Sequence, residues 1–264
     1  MGAKIDSLRN KFQSSKFGAF WIKARLQYLV MVALLFAIKA ILYFPIAALG
    51  ESGLLKPPVM FHMEVDQWIP FVPEMYVFYI SYYILPIIFV WILSFYDKKK
   101  VTTIVLATAC VVVVANICYL IQQVKMDRVA FENQAAVYAN IESVNSIRSF
   151  FLWCLNKQYI ADSTALNCFP SLHATFATLL IIAGLYTGVD EKPCPIWWRI
   201  IFIFFGVGIF LSTVFVKQHY FVDIVFAFGL EVFFYFLFKL VFVPLYLKRR
   251  EAKLAEKEEA TESE

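Results

Sequence analysis

Six long apolar stretches constrain the fold of this chain more than any other feature of its sequence. Each has about the 20 residues that an α-helix needs to cross the hydrocarbon core of a bilayer. Because a backbone group in lipid has no water to bond with, such stretches fold as helices. The stretches are residues 27–48, 76–96, 101–121, 171–189, 196–216 and 221–246.

The amount of apolar surface excludes an ordinary soluble domain. Hydrophobic residues make up 61% of the 264 residues, more than a soluble domain of this length can bury. We therefore predict an all-α, polytopic membrane protein with one six-helix domain over residues 27–247. Residues 1–26 are polar, basic and amphipathic, which predicts a helix on the cytoplasmic membrane surface. The charged residues 248–264 predict a disordered cytoplasmic tail.

Lysine and arginine side chains set the orientation. Most of them lie before the first stretch, after the second and the sixth, and beside the fifth. The positive-inside rule then makes both termini cytoplasmic and the 122–170 loop extracytoplasmic. Within that loop, residues 146–155 (SIRSFFLWCL) are apolar but too short to cross, so we predict a short interfacial helix. The compact single domain favours a bacterial plasma membrane, and the scattered positive charges do not form a nucleic-acid-binding surface.

The remaining charges and thiols point to no metal or redox centre. The five cysteines form no CxxC pair, and no disulfide is predicted between Cys154 and Cys168, which share one loop. Glu231 falls in the middle of the sixth stretch, where an ionised carboxylate is costly. By depth, Lys39 in the first stretch is its nearest predicted partner.

Two of the three histidines head apolar stretches on the predicted outer face. His173 lies in the sequence PSLH at the start of the fourth stretch, and His219 lies between the fifth and the sixth. Asp223 follows His219 by four residues, which puts both on one helix face and lets the carboxylate orient the ring. Because the fourth stretch runs inward and the fifth returns, the two imidazoles should meet. His62, the third histidine, is predicted to be a solvated loop residue.

Such a pair suits displacement at phosphorus. One imidazole attacks the phosphorus atom and the other protonates the departing oxygen. The phosphate oxygens also need cations and N–H donors. No group of residues has the spacing of a metal site, so we expect no metal and no other cofactor. The candidate phosphate-binding residues are Ser171, Leu172, Arg128, Lys125 and Lys217.

These residues resemble a known family. PSLH followed by S-x6-H-x3-D, from Ser212 to Asp223, resembles the second and third motifs of the type 2 phosphatidic acid phosphatase superfamily. The form FPSLH, with His-Tyr and a later Asp, looks closest to its inositol-phosphotransferase-like and sphingomyelin-synthase-like branch. The resemblance implies a six-helix core, a phosphohistidine on His219, His173 as general acid and Asp223 as the orienting residue.

The sequence also departs from that pattern. Leu172 stands where the family usually has glycine, and Thr213 stands where it has arginine. The first motif is reduced to QQVKMDR, which contains Lys125 and Arg128 at a shorter spacing and no proline. Arg148 is an alternative source of the missing positive charge.

Three functions are consistent with these residues. The leading prediction is a metal-independent lipid phosphate phosphatase acting on a substrate such as phosphatidate, phosphatidylglycerol phosphate or polyprenyl pyrophosphate. The alternative is a lipid phosphotransferase, in which an alcohol replaces water as the acceptor. The third is a non-catalytic lipid-binding membrane protein. The bilayer and a lipid phosphate are the predicted partners, and the sequence predicts no oligomeric state.

Overall fold

In a computed structural model, helices are the main secondary structure of the residues that the structure describes, which are 15–128, 146–162, 164–185 and 193–245. The first 14 residues of the predicted surface helix and the predicted tail lie outside these ranges. Two short irregular elements accompany the helices, a 3₁₀ turn at Pro73–Met75 and a π-helical segment at Phe238–Phe242. The α-helices are α1 (Lys16–Lys23), α2 (Leu26–Glu51), α3 (Glu64–Trp68), α4 (Tyr76–Ser81), α5 (Leu85–Ser94), α6 (Lys98–Ile121), α7 (Ile147–Ala161), α8 (Leu172–Leu185), α9 (Ile196–Phe215) and α10 (Phe221–Leu237).

Several helices are long and apolar enough to cross a membrane, as expected of a membrane protein. Four qualify among the described residues: α2, α6, α9 and α10 with its extension to Leu245. The pair α4–α5 would add a fifth if it counts as one span. Helix α8 has 14 residues, fewer than the predicted 171–189, and residues 186–192 lie outside the described ranges. The count of six spans therefore stays a prediction.

The second apolar stretch is broken, and the prediction of one continuous helix over 76–96 is wrong. Helices α4 and α5 meet at a bend of 47°. Pro86, near the start of α5, lacks an N–H, and in an unbroken helix its ring would clash with the carbonyl four residues earlier. It also disfavours helical geometry at the preceding residue. Tyr82 and Tyr83 lie in the turn between these two helices.

Helix α8 lies at the centre of the bundle, packed tightly against α9. Two glycines permit this approach. A Cβ atom on Gly206 would lie 3.0 Å from the carbonyl oxygen of Ala177, and one on Gly184 would lie 2.6 Å from that of Arg199. Small residues let helix backbones approach closely in membranes. Since the two helices are antiparallel neighbours, the start of α8 lies beside the end of α9.

Cations hold the other end of α8. Lys100 Nζ donates to the carbonyl of Ala183 at 2.9 Å, and Arg199 Nε donates to that of Gly184 at 2.9 Å. The last carbonyls of a helix have no intrahelical donors and carry partial negative charge, so basic side chains stabilise them. This clamp fixes α8 along its axis, and with it the residues at its start.

The predicted contact between Glu231 and Lys39 is wrong. Glu231 is fully buried and accepts a hydrogen bond from the Thr108 hydroxyl at 2.7 Å. The contact joins α10 to α6 and satisfies one carboxyl oxygen. Lys39 lies elsewhere, among tyrosine rings of α2 and the α4–α5 break. The depth of a residue in the membrane does not determine which neighbouring helix its side chain meets.

The 146–155 segment forms a helix, as predicted, and continues to Ala161 as α7. Ser146 caps it, because its hydroxyl accepts from the Ser149 N–H at 3.2 Å. Leu155 is buried against Tyr79 and Val216. Helix α7 therefore packs on α4 and on the loop after α9, and its position at the membrane interface stays a prediction.

Candidate active site

A cavity of about 470 Å³ lies where the start of α8 meets the loop that follows α9. The other walls come from α4, the α4–α5 break, α6, the end of α7, the loop before α8 and one stripe of α2. Residues three and four positions apart share a helix face, which explains the stripe. Ligand sites typically combine apolar walls with a few polar groups in this way. The α2 stripe consists of Phe36, Lys39, Ala40, Tyr43 and Phe44.

His219 reaches the cavity from a tight turn that ends α9. The carbonyl of Thr213 accepts the N–H groups of Gln218 at 2.9 Å and of His219 at 3.2 Å. Lys217, between them and the helix, adopts a left-handed conformation with φ of 50°. This turn closes the end of α9 and leaves the His219 ring only 7% exposed, on the cavity wall.

Backbone contacts determine which nitrogen of His219 carries its proton. Nδ1 lies 3.0 Å from the carbonyl oxygen of Cys168. A carbonyl can only accept, so Nδ1 carries the proton and Nε2 carries the lone pair. Nε2 lies 3.3 Å from Nδ1 of His173, which must then be the donor. The lone pair of His219 and an N–H of His173 therefore face each other.

His173 belongs to the first turn of α8, and aromatic rings hold its plane. Its ring stacks on Tyr79 with a centroid separation of 4.7 Å and contacts Tyr82 at 4.3 Å. Its Nε2 has no hydrogen-bond partner among the described residues. The tyrosines thus fix the ring so that Nδ1 points at His219.

Asp223 lies close to His219 but is not its nearest partner. The separation of Asp223 Oδ2 and His219 Nδ1 is 3.4 Å, longer than a good hydrogen bond. The same oxygen accepts the N–H of Tyr220 at 2.9 Å and so caps the start of α10. The Cys168 carbonyl orients the ring, and the buried carboxylate supplies negative charge beside it.

We expect Asp223→Asn to lower kcat/KM by about 10- to 100-fold with little change in Tm. The amide oxygen can still cap α10, but the negative charge that stabilises a cationic His219 is lost. The measurement is a kinetic assay paired with a thermal melt. Asp66→Asn is the matched control. Asp66 accepts from Phe221 N at 2.7 Å at the same helix start and contacts neither histidine. Equal losses in the two variants would show that the Asp223 effect is structural.

The start of α8 offers N–H donors to the cavity. The Ser171 hydroxyl accepts from Ala174 N at 3.2 Å, which commits it to capping the helix. Leu172 and His173 line the cavity, and their N–H groups belong to a first turn that has no intrahelical acceptors. An anion at this helix end would meet these two N–H groups.

The predicted cations lie outside the cavity wall. Arg128 donates to the Asp162 carboxylate at 2.7 Å and to Gln218 at 2.8 Å. Burial raises the pKa of Asp162, and Arg128 opposes that rise. The alternative cation, Arg148, donates to Glu74 at 2.8 Å. Asp162 and Gln218 line the cavity, so Arg128 holds two wall residues in place without lining the cavity itself.

The two predicted lysines also serve other parts of the fold. Lys217 Nζ donates to the carbonyls of Asp66 at 3.1 Å and Ile69 at 2.6 Å, and burial lowers its pKa to about 8. It thereby anchors the loop that follows α3. Lys125 has an exposed side chain and is not among the residues that line the cavity. Their role as phosphate ligands stays a prediction.

Lys39 is the cation that does line the cavity. A lysine at the centre of a membrane-spanning helix costs about 2.5–3.5 kcal/mol to insert. Its ammonium lies 5.3 Å from the ring centres of Tyr43 and Tyr82 and 5.9 Å from that of Tyr83. These distances approach the limit of about 6 Å for cation–π attraction, so the rings offset only part of that cost. Its position inside an apolar stretch was the one sequence signal that could have marked it as functional.

A second cluster has the donor atoms of a metal site. One ligand atom each from Cys168, His219 and Asp223 lie within 4.8 Å of one another. The Cys168 thiol donates to the Ala165 carbonyl at 3.1 Å, and burial raises its pKa well above the usual range. A metal bound here would have to deprotonate that thiol and displace the hydrogen bonds of all three groups.

Comparison with known proteins gives one family. The model of the PAP2 superfamily matches residues 62–237, which include His173, His219, Asp223 and the α4–α5 break. No curated protein matches the chain significantly. No solved structure does so either.

Proposed function

The chain belongs to the PAP2 superfamily, which indicates a phosphatase or phosphotransferase, and we propose that it hydrolyses a lipid phosphate in the membrane. One observation carries the proposal. The lone pair of His219 Nε2 faces the N–H of His173 at 3.3 Å on the wall of a cavity among membrane helices. A nucleophile and a proton donor are thereby placed on one ligand site.

In the first step, His219 Nε2 attacks phosphorus and the bond from phosphorus to the leaving oxygen breaks. His173, protonated on both nitrogens beside the anionic substrate, gives its Nδ1 proton to that oxygen. The products are a phosphohistidine and a neutral His173. Reacting atoms approach to about 3–3.5 Å before displacement, so the two rings must separate when a phosphoryl group enters between them.

In the second step, neutral His173 removes a proton from water as the water oxygen attacks the phosphohistidine. The bond from phosphorus to His219 Nε2 breaks, inorganic phosphate leaves, and both rings return to their starting states. The Cys168 carbonyl and the Asp223 carboxylate stabilise positive charge on His219 whenever Nε2 is bonded to phosphorus. The N–H groups at the start of α8 are placed to receive the phosphate oxygens.

The cavity walls favour a lipid over a soluble phosphate ester. Phe44 and Tyr83 line the cavity, and yet they are 66% and 39% exposed on apolar helices. The cavity therefore opens sideways at Phe44 and Tyr83, where acyl chains would lie in a membrane. Exposed apolar surface beside a polar site fits an amphiphile whose phosphate reaches the histidines.

The topology belongs to the same proposal. We place six spans in the membrane, with α4–α5 as the second and α8 as the fourth. Both termini would be cytoplasmic and the site extracytoplasmic, as the positive-inside rule indicates.

The direct test is phosphate release from purified protein in detergent micelles that contain phosphatidate, phosphatidylglycerol phosphate or polyprenyl pyrophosphate. Release of inorganic phosphate with at least one substrate supports the proposal. Release of a phospho-headgroup product only after an alcohol is added would identify a phosphotransferase. No turnover in either assay would contradict both enzymatic functions and favour a non-catalytic lipid-binding protein.

We expect activity to stay within about twofold when EDTA is present. Every proton and bond in the two steps is handled by the two imidazoles, water and backbone donors. The measurement is phosphate release with and without chelator after dialysis. A loss that added Zn²⁺ or Mg²⁺ restores would contradict this expectation and point to the cluster of Cys168, His219 and Asp223.

A further inference from the structure

Lys39 has no hydrogen bond or ion pair with any described residue. Its contacts are the three tyrosine rings of Tyr43, Tyr82 and Tyr83, and it lines the cavity. A charged group in this position is normally paired or functional. Arg128 and Lys217, by contrast, have protein acceptors: Arg128 in Asp162, and Lys217 in the carbonyls of Asp66 and Ile69.

Lys39 and His173 flank the same aromatic surface. The Tyr82 ring centre lies 5.3 Å from Lys39 Nζ and 4.3 Å from the His173 ring centre. Tyr83 also contacts both, at 5.9 Å and 6.4 Å. The Lys39 ammonium and the two histidines therefore border the same cavity, and Tyr82 and Tyr83 contact both Lys39 and His173.

Among the described residues, no other lysine or arginine lines the cavity. Thr213 stands where the family has arginine, and its hydroxyl donates to the Phe210 carbonyl at 2.8 Å. The N–H groups at the start of α8 provide only partial charge. Displacement at phosphorus needs cations around the oxygens, since charge accumulates there.

We propose that Lys39 binds the phosphate group of the substrate, in place of the cations that the family motifs provide. The inference deepens the proposed function and rests on it. Lys39 lies before residue 62, where the family match begins, so the match assigns it no role. Its ammonium would donate to phosphate oxygens that are not part of the bond being broken. This contact would hold the anion and favour the transition state.

The first test is kinetic. Lys39→Met and Lys39→Gln should lower kcat/KM by about 10- to 100-fold, the effect of one charge-assisted hydrogen bond. Lys39→Arg keeps the charge and should recover part of that loss. Orthovanadate, which mimics the five-coordinate phosphorus, should inhibit the Met and Gln variants at least about 10-fold more weakly than it inhibits the unaltered chain.

Lys239→Met is the matched control. Lys239 also lies in a membrane helix beneath a tyrosine, 5.9 Å from the ring centre of Tyr235, and does not line the cavity. The same substitution there should leave kcat/KM and vanadate inhibition within about twofold. An equal loss in the two methionine variants would overturn the inference, since it would trace to stability alone.

A measurement on the unaltered chain covers the case in which Lys39 variants fail to fold. Reductive methylation of Lys39, read by mass spectrometry, should slow at least about fivefold in orthovanadate or inorganic phosphate, whereas methylation of Lys239 should not change. No protection of Lys39 would overturn the inference.

The outcomes separate the two proposals. Protection of Lys39 in a protein that hydrolyses no lipid phosphate would support the anion site and refute the phosphatase. Turnover that depends on His219, with unchanged kinetics in Lys39→Met and no protection, would support the phosphatase and refute the role of Lys39.

Discussion

His219→Ala should lower the rate of phosphate release by at least about 10⁴-fold. The substitution removes the atom that attacks phosphorus, and loss of a nucleophile typically leaves only the catalysis that binding provides. The ring is 7% exposed, so a second variant, His219→Gln, guards against an effect of the lost volume. Steady-state phosphate release from a detergent-solubilised lipid phosphate measures the effect.

His62→Ala is the control for this result. His62 is an exposed histidine that does not line the cavity, and its replacement should leave the rate within about twofold. Thermal melts of all three variants show whether each is folded. A folded His219→Ala protein that retains more than about a hundredth of the activity would refute the assignment of His219 as nucleophile.

His173→Ala should lower phosphate release by about 10²- to 10⁴-fold, the range for loss of a general acid or base. The ring packs between Tyr79 and Tyr82, so truncation also leaves a gap in the wall. His173→Phe fills that gap without a titratable group and should be equally slow. The same phosphate assay measures both.

The leaving group distinguishes an acid from a nucleophile. A lipid analogue that releases nitrophenolate needs no proton on the departing oxygen. With this substrate, the first turnover of His173→Ala should recover to within about tenfold of the unaltered chain, as seen in the pre-steady-state burst. His219→Ala should show no burst. Failure of the analogue to rescue His173→Ala would mean that the ring only shapes the site.

The meeting of the two histidines could be predicted because it depends on helix order. PSLH begins one apolar stretch, and the His-x3-Asp pattern follows the next, so antiparallel neighbours bring both to one end of the bundle. The structure places His173 and His219 3.3 Å apart. The order of the apolar stretches and their alternating directions are sufficient for this prediction, which needs no knowledge of side-chain packing.

The group that orients His219 could not be predicted in the same way. A carboxylate four residues away is visible in the sequence, and Asp223 is indeed near. The closer acceptor is the carbonyl of Cys168, and every residue has such a carbonyl. Its direction depends on the path of the loop before α8, which no residue type encodes.

The phosphate-binding side is where sequence reasoning was weakest. Lys125 and Arg128 resemble the first family motif in sequence, and Lys39 matches Glu231 only in depth. The cavity instead receives the stripe of α2 that carries Lys39. Depth along a helix follows from residue number, whereas the neighbour that a given face meets depends on the packing of the whole bundle. The break at Pro86, which brings Tyr82 and Tyr83 to Lys39, is the part that proline chemistry could have predicted.

The most direct test of the account is to trap the covalent intermediate. The protein is mixed for milliseconds with a lipid phosphate labelled with ³²P, quenched in alkali and digested, and the labelled peptide is identified. We predict an acid-labile, alkali-stable phosphoryl group on His219. When the His173→Ala variant is given the nitrophenyl analogue, more of this intermediate should accumulate, because its hydrolysis is slowed. Label on another residue, or a burst of product with no labelled protein, would contradict the account.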